Sequence, residues 1–136
     1  MGKYLRYTIP PLIVAVVIFY LCCLIPPNDI PDIECEFFIP ADKIVHFLMY
    51  FGLSIVASFM YIHENNGRII ILKLILLAIL LPILYGGFIE IVQQRYFPDR
   101  TGDWFDFLAD TLGSLAALPV ALTLRRWYLN KQLYEL

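Results

Sequence analysis

"GDWFDFLADTLGSLAAL", at residues 102–118, combines the apolar character of a membrane helix with three aspartates in its first turns. Asp103, Asp106 and Asp110 are spaced three and four residues apart. At about 100° per residue, this spacing places them within roughly 60° of one another on one helical face. Gly113 and Ala117 continue that face as a small-xxx-small pattern, which lets another helix approach closely. The stretch therefore predicts a helix whose carboxylates point into a helix bundle and not towards lipid.

The composition indicates an integral membrane protein. Of the 136 residues, 60% are hydrophobic and only 16% are charged, and the mean hydropathy is +0.72. A soluble domain of this size needs more polar residues to cover its core. Four apolar stretches reach or approach the roughly 20 residues that cross a hydrocarbon core, where only helices satisfy their own backbone at this length. We predict one all-α transmembrane domain over 1–136, a four-helix bundle with helices at about 9–25, 43–62, 69–92 and 104–124.

The basic residues near the helix ends predict the orientation of the bundle. Seven would lie on one side of the membrane: Lys3, Arg6, Arg68, Lys73, Arg125, Arg126 and Lys131. Three would lie on the other side: Lys43, Arg95 and Arg100. Because cytoplasmic loops carry the excess of lysine and arginine, both termini are expected in the cytoplasm. The loops at 26–41 and 93–104 are then expected to face outward.

Three further segments carry local signals. Lys3 and Arg6 resemble the basic start of a signal peptide, but no small-x-small cleavage site follows, so we expect the first helix to remain as an anchor. The segment HENNGR at 63–68 predicts a tight turn between the second and third helices. The segment RRWYLNKQLYEL at 125–136 predicts a short basic-aromatic tail at the cytoplasmic interface.

Two other helices carry polar residues at the level of the aspartates. In the second helix, Asp42 and His46 are separated by one turn, so that Asp42 can orient the imidazole. Glu90 lies about 31 Å along the third helix, at the outer boundary of the membrane, and is followed by Gln93 and Gln94. Ionisable residues at such a depth usually pair, line a cavity or carry function. The three helices therefore predict one outward-facing layer of polar side chains.

Several members of this layer also fit simpler roles. Asp42 and Asp103 can be N-caps, because aspartate suits a helix start and the positive end of the helix dipole. Lys43 can extend along its helix to the interface. His46 can be a partly buried histidine that is bonded to Asp42 alone.

Glu90 and Asp110 fit these simpler roles least well. Both lie in an apolar context, away from the capping positions of their helices. An acid near a helix C-terminus is also disfavoured by the dipole. Glu90 is therefore expected to have a cationic partner, such as Arg100, or a functional role.

Three motifs together resemble one protein family. They are DKIVHF at 42–47, EIVQQ at 90–94 and RTGDWFDFLADTLGSLAA at 100–117. Their order and spacing resemble the VanZ-like family of bacterial membrane proteins, which is named after a protein associated with teicoplanin resistance. The resemblance covers about residues 12–122 and implies a multi-pass protein of the bacterial cytoplasmic (inner) membrane. The residues of this chain that match the family pattern are Asp42, Lys43, His46, Glu90, Gln93 or Gln94, Arg100, Asp103, Asp106 and Gly113. Asp110 departs from it, because the family commonly has asparagine there.

A ligand site in the polar layer is the first functional hypothesis. It would bind a lipid-linked or phosphate-bearing ligand of the cell envelope, and the resemblance adds a link to glycopeptide antibiotic resistance. Arginine suits such a ligand because its fork of donors matches phosphate and carboxylate groups. The residues expected to bind the ligand are Lys43, Gln93, Gln94, Arg100, Asp103 and Asp110.

A membrane enzyme is the alternative, as a hydrolase or transferase that acts on an envelope lipid headgroup by acid/base chemistry. The expected catalytic residues are His46, Asp42, Glu90 and Asp106. Imidazole and carboxylate groups can exchange protons near neutral pH when their surroundings bring their pKa values close to that pH. No signature of a nucleophilic serine or cysteine occurs in the layer, so hydrolysis would need an activated water. Binding and catalysis both stay open at this point.

Ion or proton binding, or transport, is a second alternative, because intramembrane carboxylates serve these roles in transporters. A metal ion could use His46, Glu90, Asp106 and Asp110, but the sequence contains no close ligand pair such as HxxxH, so no metal site is predicted. Membrane lipids are expected partners. Nucleic acid is not, because the basic residues are scattered at helix ends. The cofactor and the oligomeric state stay open.

Overall fold

The protein is a bundle of four long helices. The computed structural model describes residues 2–25, 40–97 and 102–134, and within these ranges there is no strand. All four helices are long and apolar enough to cross a membrane, which confirms the predicted fold class. The helices are α1 at Gly2–Phe19 with a π-helical turn at Tyr20–Leu24, α2 at Ala41–Glu64, α3 at Ile71–Tyr96 with a π-helical turn at Leu76–Leu80, and α4 at Trp104–Tyr134.

Close packing of α2 against α4 forms the most extensive interface in the bundle. Gly113, Ser114 and Ala117 of α4 are buried at this interface. A Cβ atom at Gly113 would collide with the carbonyl oxygen of Phe47 in α2, so only glycine allows this approach. The small residues predicted from the sequence therefore form a helix contact, as expected for membrane helices.

The last helix is longer than predicted. The predicted tail starts at residue 125, whereas α4 continues without a break to Tyr134. Its final turns are held by the turn between α2 and α3, because Arg125 Nε donates to the Gly67 carbonyl at 3.3 Å and Gln132 Nε2 donates to the Asn66 carbonyl at 2.8 Å. Arg125 and Gln132 are seven residues apart, and side chains with this spacing lie on the same face of a helix. Their two contacts with the turn therefore stabilise the helical conformation of residues 125–132. At about 46 Å, α4 is also longer than a hydrocarbon core is thick.

The turn between α2 and α3 has the tight geometry that the sequence predicts. Asn66 and Gly67 both adopt positive φ angles, of 50° and 77°. The Gly67 N–H donates to the carbonyl of Ile62 at 2.9 Å, which closes the last turn of α2. The backbone of Gly67 lies against Tyr128 of α4, where a Cβ atom would be 3.0 Å from that of Tyr128. We call this end of the bundle the turn end.

A π-helical turn at Leu76–Leu80 precedes Pro82 in α3. Proline lacks an N–H and its ring clashes with the carbonyl four residues earlier, which is that of Ala78. A proline inside a helix therefore disturbs the preceding turn, and in this structure that turn is widened just before the proline. The helix then continues to Tyr96 and carries Glu90 to the end of the bundle opposite the turn end.

Candidate functional site

Polar side chains of α2, α3 and α4 meet at the end of the bundle opposite the turn end. We call this the polar end, and it comprises Asp42, Lys43, His46, Glu90, Asp103, Asp106 and Asp110. The three helices bring these residues together although they are up to 68 positions apart in the sequence. Arg100, which the sequence also assigns to this layer, lies outside the described residues.

Lys43 is the centre of an ion-pair cluster. Its Nζ atom lies 3.0 Å from Asp42 Oδ2, 2.6 Å from Asp103 Oδ2 and 2.5 Å from Asp106 Oδ1. The side chain is only 17% exposed, so Lys43 reaches across to α4 and does not extend along its own helix to the interface. An ammonium group has three donors, and here three carboxylates accept them. Lys43 can therefore contact a phosphate group only by giving up a carboxylate.

Asp103 combines two roles. Its Oδ1 atom accepts a hydrogen bond from the Phe105 N–H at 2.9 Å, so Asp103 caps α4 as the simpler interpretation expects. Its Oδ2 atom accepts from Lys43. These two hydrogen bonds, with that from Lys43 the larger effect, hold the pKa of the Asp103 carboxyl below its ordinary value. Capping is wrong for Asp42, because Pro40 precedes α2 at the cap position and no side chain bonds there.

His46 is paired with Asp110 and not with Asp42. The Nδ1 atom of His46 lies 3.0 Å from Asp110 Oδ1, and its Nε2 atom lies 3.9 Å from Asp106 Oδ2. Asp42 instead contacts Lys43 at the surface, with 59% of its side chain exposed. The predicted pairing within α2 is therefore wrong. It fails because the close contact of α2 and α4 at Gly113 brings the carboxylate of Asp110 to the imidazole.

Glu90 is buried between α3 and the start of α4. Its Oε2 atom accepts a hydrogen bond from the backbone N–H of Asp103 at 2.8 Å. Its Oε1 atom is buried and has no hydrogen-bond partner within the described residues. The same holds for Asp110 Oδ2 and for the hydroxyl of Tyr50. Arg100, the cationic partner expected for Glu90, is not among the described residues, so that prediction stays a prediction.

The two glutamines of α3 lie apart from the ionic groups. Gln93 Nε2 donates to the carbonyl of Cys22 at 2.8 Å, so this side chain ties α3 to the π-helical turn of α1. Gln94 is exposed, and its Nε2 atom lies 3.5 Å from the Gly102 carbonyl. Among the described residues, neither glutamine is hydrogen-bonded to the ionic groups. The ligand-binding roles expected for Gln93 and Gln94 stay predictions.

Tyr50 belongs to the site but is not among the site residues predicted from the sequence, where its aromatic ring also fits an interfacial belt. It lies one turn after His46 on the same face of α2 and is fully buried. Gly86 of α3 makes room for it, since a Cβ atom at Gly86 would be 3.3 Å from the Tyr50 ring and 2.8 Å from Asp110 Oδ2. The i, i+4 spacing from His46 is the signal that could have identified it.

One group at the polar end has the composition of a metal site. His46, Glu90 and Asp110 each offer one ligand atom, and these three atoms lie within 4.8 Å of one another. The group combines one imidazole with two carboxylates. The oriented pair of His46 and Asp110 could also move a proton, because a carboxylate fixes the orientation of an imidazole and stabilises its charged form.

An apolar cavity of about 420 Å³ lies between α1, α2 and α3. On α2 its lining residues run from Leu53, which follows His46 by about 10 Å along the helix, to Tyr61 towards the turn end. The Tyr85 hydroxyl donates to the Ala15 carbonyl at 2.7 Å and joins α3 to α1 beside the cavity. Its walls include Tyr7, Pro11, Ala15, Leu53, Tyr61 and Tyr85.

Comparison with known proteins agrees with the resemblance found in the motifs. The model of the VanZ/LLP1 family matches residues 10–125, which include the whole polar end. The chain matches no curated protein and no solved structure. Because the family match covers most of its length, this four-helix chain with membrane-spanning character belongs to the VanZ/LLP1 family.

Proposed function

We propose that this protein lies in the bacterial cytoplasmic membrane with its polar end outward, and that the polar end binds the headgroup of a lipid-linked cell-envelope ligand. The observation that carries the proposal is a gradient of side-chain exposure. Exposure falls from 59% at Asp42 to 39% at Asp103, 15% at Asp106 and 0% at Asp110. Such a gradient is typical of a site with a solvent-facing entrance and a buried floor.

The charges at the polar end favour a ligand rich in hydrogen-bond donors. Five carboxylates there face one ammonium group, that of Lys43, and one imidazole, that of His46. Hydroxyl and amino groups of a saccharide or peptide headgroup can donate to carboxylates, whereas a phosphate group is repelled by them. A phosphate in the ligand is therefore expected to contact arginine, and the candidates are Arg95 in the last turn of α3 and Arg100, which follows α3 in the sequence.

The apolar cavity supports a lipid-linked ligand over a water-soluble one. Its lining is almost wholly apolar and comes from three helices, and its first lining residue on α2, Leu53, follows His46 by about 10 Å along the helix. An acyl or prenyl chain anchored at the polar end is long enough to reach that depth. A lipid tail in this cavity would add apolar contacts to the polar contacts of the headgroup.

The orientation can be tested with reporters fused after Leu136. We expect green fluorescent protein at this end to be fluorescent and alkaline phosphatase to be inactive, because the distribution of basic residues predicts that both termini are cytoplasmic. The matched control is the same pair of reporters fused after Tyr96, at the end of α3, where the opposite result is expected. Active phosphatase after Leu136 would contradict the proposed orientation.

Headgroup binding can be tested on purified protein in phosphatidylcholine nanodiscs. The probes are a polyprenyl-pyrophosphate-linked disaccharide, polyprenyl phosphate and phosphatidylglycerol. We expect the disaccharide probe to bind most tightly, and Asp106→Asn to weaken it about tenfold, because Asp106 lies between the entrance and the floor. Glu64→Gln, an acid at the turn end, is the control and should leave the affinity unchanged. Equal affinities for all three probes would contradict a headgroup site.

Catalysis is the second candidate function, and the contact of His46 with Asp110 is the observation that favours it. The same nanodisc samples can be analysed for cleaved or transferred headgroup. Product formation that is lost in His46→Gln, with probe binding retained, would assign acid/base chemistry to the site. Binding without product would assign a binding role.

Teicoplanin susceptibility of cells with and without the protein is the corresponding cellular measurement, because the family resemblance suggests a link to glycopeptide resistance.

A further inference from the structure

We propose that His46, Glu90 and Asp110 bind a divalent transition-metal cation of the Zn²⁺ or Mn²⁺ class at the floor of the polar end. Each residue comes from a different helix, α2, α3 and α4 respectively. This explains why the sequence, which contains no close ligand pair, did not predict a metal site. The proposal does not depend on the identity of the envelope ligand.

The ligand atoms are close enough to share one cation. One nitrogen or oxygen atom of each residue lies within 4.8 Å of the other two. Atoms at typical Zn²⁺ bond lengths in a tetrahedral site lie about 3.3 Å apart, so shifts of side chains alone can close the site. His46 Nδ1 and Asp110 Oδ1 are already 3.0 Å apart. A cation would take the place of the proton between these two atoms.

Two buried oxygen atoms give independent support. Glu90 Oε1 and Asp110 Oδ2 have no hydrogen-bond partner within the described residues, and the two residues are 4% and 0% exposed. A buried carboxylate oxygen without a donor or a cation is unfavourable, because it loses hydration without compensation. A cation in contact with both residues would provide that compensation.

In two of the three ligands, Glu90 and His46, the other polar atom is directed to a neighbouring group. Glu90 Oε2 accepts from the Asp103 N–H, which leaves Oε1 for the cation. With His46 Nδ1 on the cation, its Nε2 faces Asp106 Oδ2 at 3.9 Å. A metal-bound histidine usually directs its second nitrogen to a carboxylate, which fixes the ring and raises its basicity as a ligand. Asp106 is in turn held by Lys43.

The charge of the group matches a divalent cation. Two carboxylates and a neutral imidazole carry two negative charges, so a divalent ion makes this buried group of three ligands neutral. The nitrogen ligand favours Zn²⁺ over Mg²⁺ and Ca²⁺, which prefer oxygen ligands alone, and the two carboxylates also suit Mn²⁺. Three protein ligands also leave a coordination position for water or another group, as in catalytic zinc sites.

The site can be tested by titrating EDTA-treated protein in detergent with Zn²⁺ or Mn²⁺ alone. We expect one ion per chain by elemental analysis after gel filtration. His46→Gln and Glu90→Gln should each lower the affinity at least about 100-fold, since each removes a ligand. His63→Gln removes the only other histidine, which is exposed at the turn end, and should leave binding unchanged. Circular dichroism and gel filtration verify that each variant is folded.

The Co²⁺ spectrum of the wild-type protein gives a test that needs no variant. Visible absorption bands of four- or five-coordinate Co²⁺, displaced by Zn²⁺, are expected. Several results would overturn the proposal: binding of less than one ion per chain, equal affinity in the wild type and in folded His46→Gln, or binding of Mg²⁺ and Ca²⁺ only. Uptake of metal by Arg100→Gln but not by the wild type would also overturn it, because the arginine would then be the natural partner of Glu90.

Discussion

Gly113→Ala is expected to lower the free energy of unfolding by about 2 kcal/mol, and Gly113→Leu to prevent assembly of the bundle. A Cβ atom at this position would collide with the carbonyl oxygen of Phe47 and would lie 3.1 Å from the backbone nitrogen of Phe51. These are backbone atoms of α2, which cannot rotate away as a side chain can. The two helices would have to separate, and the contact between His46 and Asp110 would lengthen. Unfolding in mixed detergent and dodecyl sulfate, followed by circular dichroism, measures the loss.

Gly52→Ala is the matched control. Gly52 is also in the interior of a membrane helix, but among the described residues no atom outside its own helix backbone lies within 4 Å of the added Cβ. Alanine has the higher helix propensity, so we expect a change between zero and a gain of about 1 kcal/mol. Equal losses at positions 52 and 113 would show that general glycine flexibility, and not the contact of α2 with α4, sets the stability.

Single-helix properties of the site are predictable from the sequence. The spacing of Asp103, Asp106 and Asp110 correctly predicts that all three carboxylates face other helices, because residues three and four apart share a helical face. The pattern of Gly113 and Ala117 correctly predicts a close helix contact on the same face. These properties follow from the geometry of one helix.

Partners between helices are not predictable in the same way. Whether His46 contacts Asp110 or Asp42 depends on the rotation and the axial offset of α4 relative to α2. The contact of Gly113 with the backbone of Phe47 sets that offset. The sequence shows both residues but not that they are in contact. Similarly, Gln93 donates to the carbonyl of Cys22 in the π-helical turn that ends α1, and such a turn has no sequence signature of its own.

Lys43→Met is expected to lower the free energy of unfolding by about 3 kcal/mol, near the lower limit for breaking a buried ion pair. Methionine keeps the length and the apolar stem of lysine but leaves Asp103 and Asp106 without their ammonium partner. Partial solvent access at Asp103 keeps the loss from being larger, because water screens part of the repulsion. Asp42→Asn removes the most exposed carboxylate of the cluster, and a change of less than about 1 kcal/mol is expected there.

A double-mutant cycle separates the charge interaction from the packing of the lysine stem. Lys43→Met leaves a repulsion between carboxylates that Asp106→Asn removes, so the double variant should be more stable than the sum of the two single changes predicts, by about 1–2 kcal/mol. The same cycle with Asp42→Asn in place of Asp106→Asn should be additive within about 0.5 kcal/mol, since Asp42 is mostly solvated. If both cycles are additive, the lysine stabilises the bundle through its stem, and the carboxylates of the polar end do not depend on its charge.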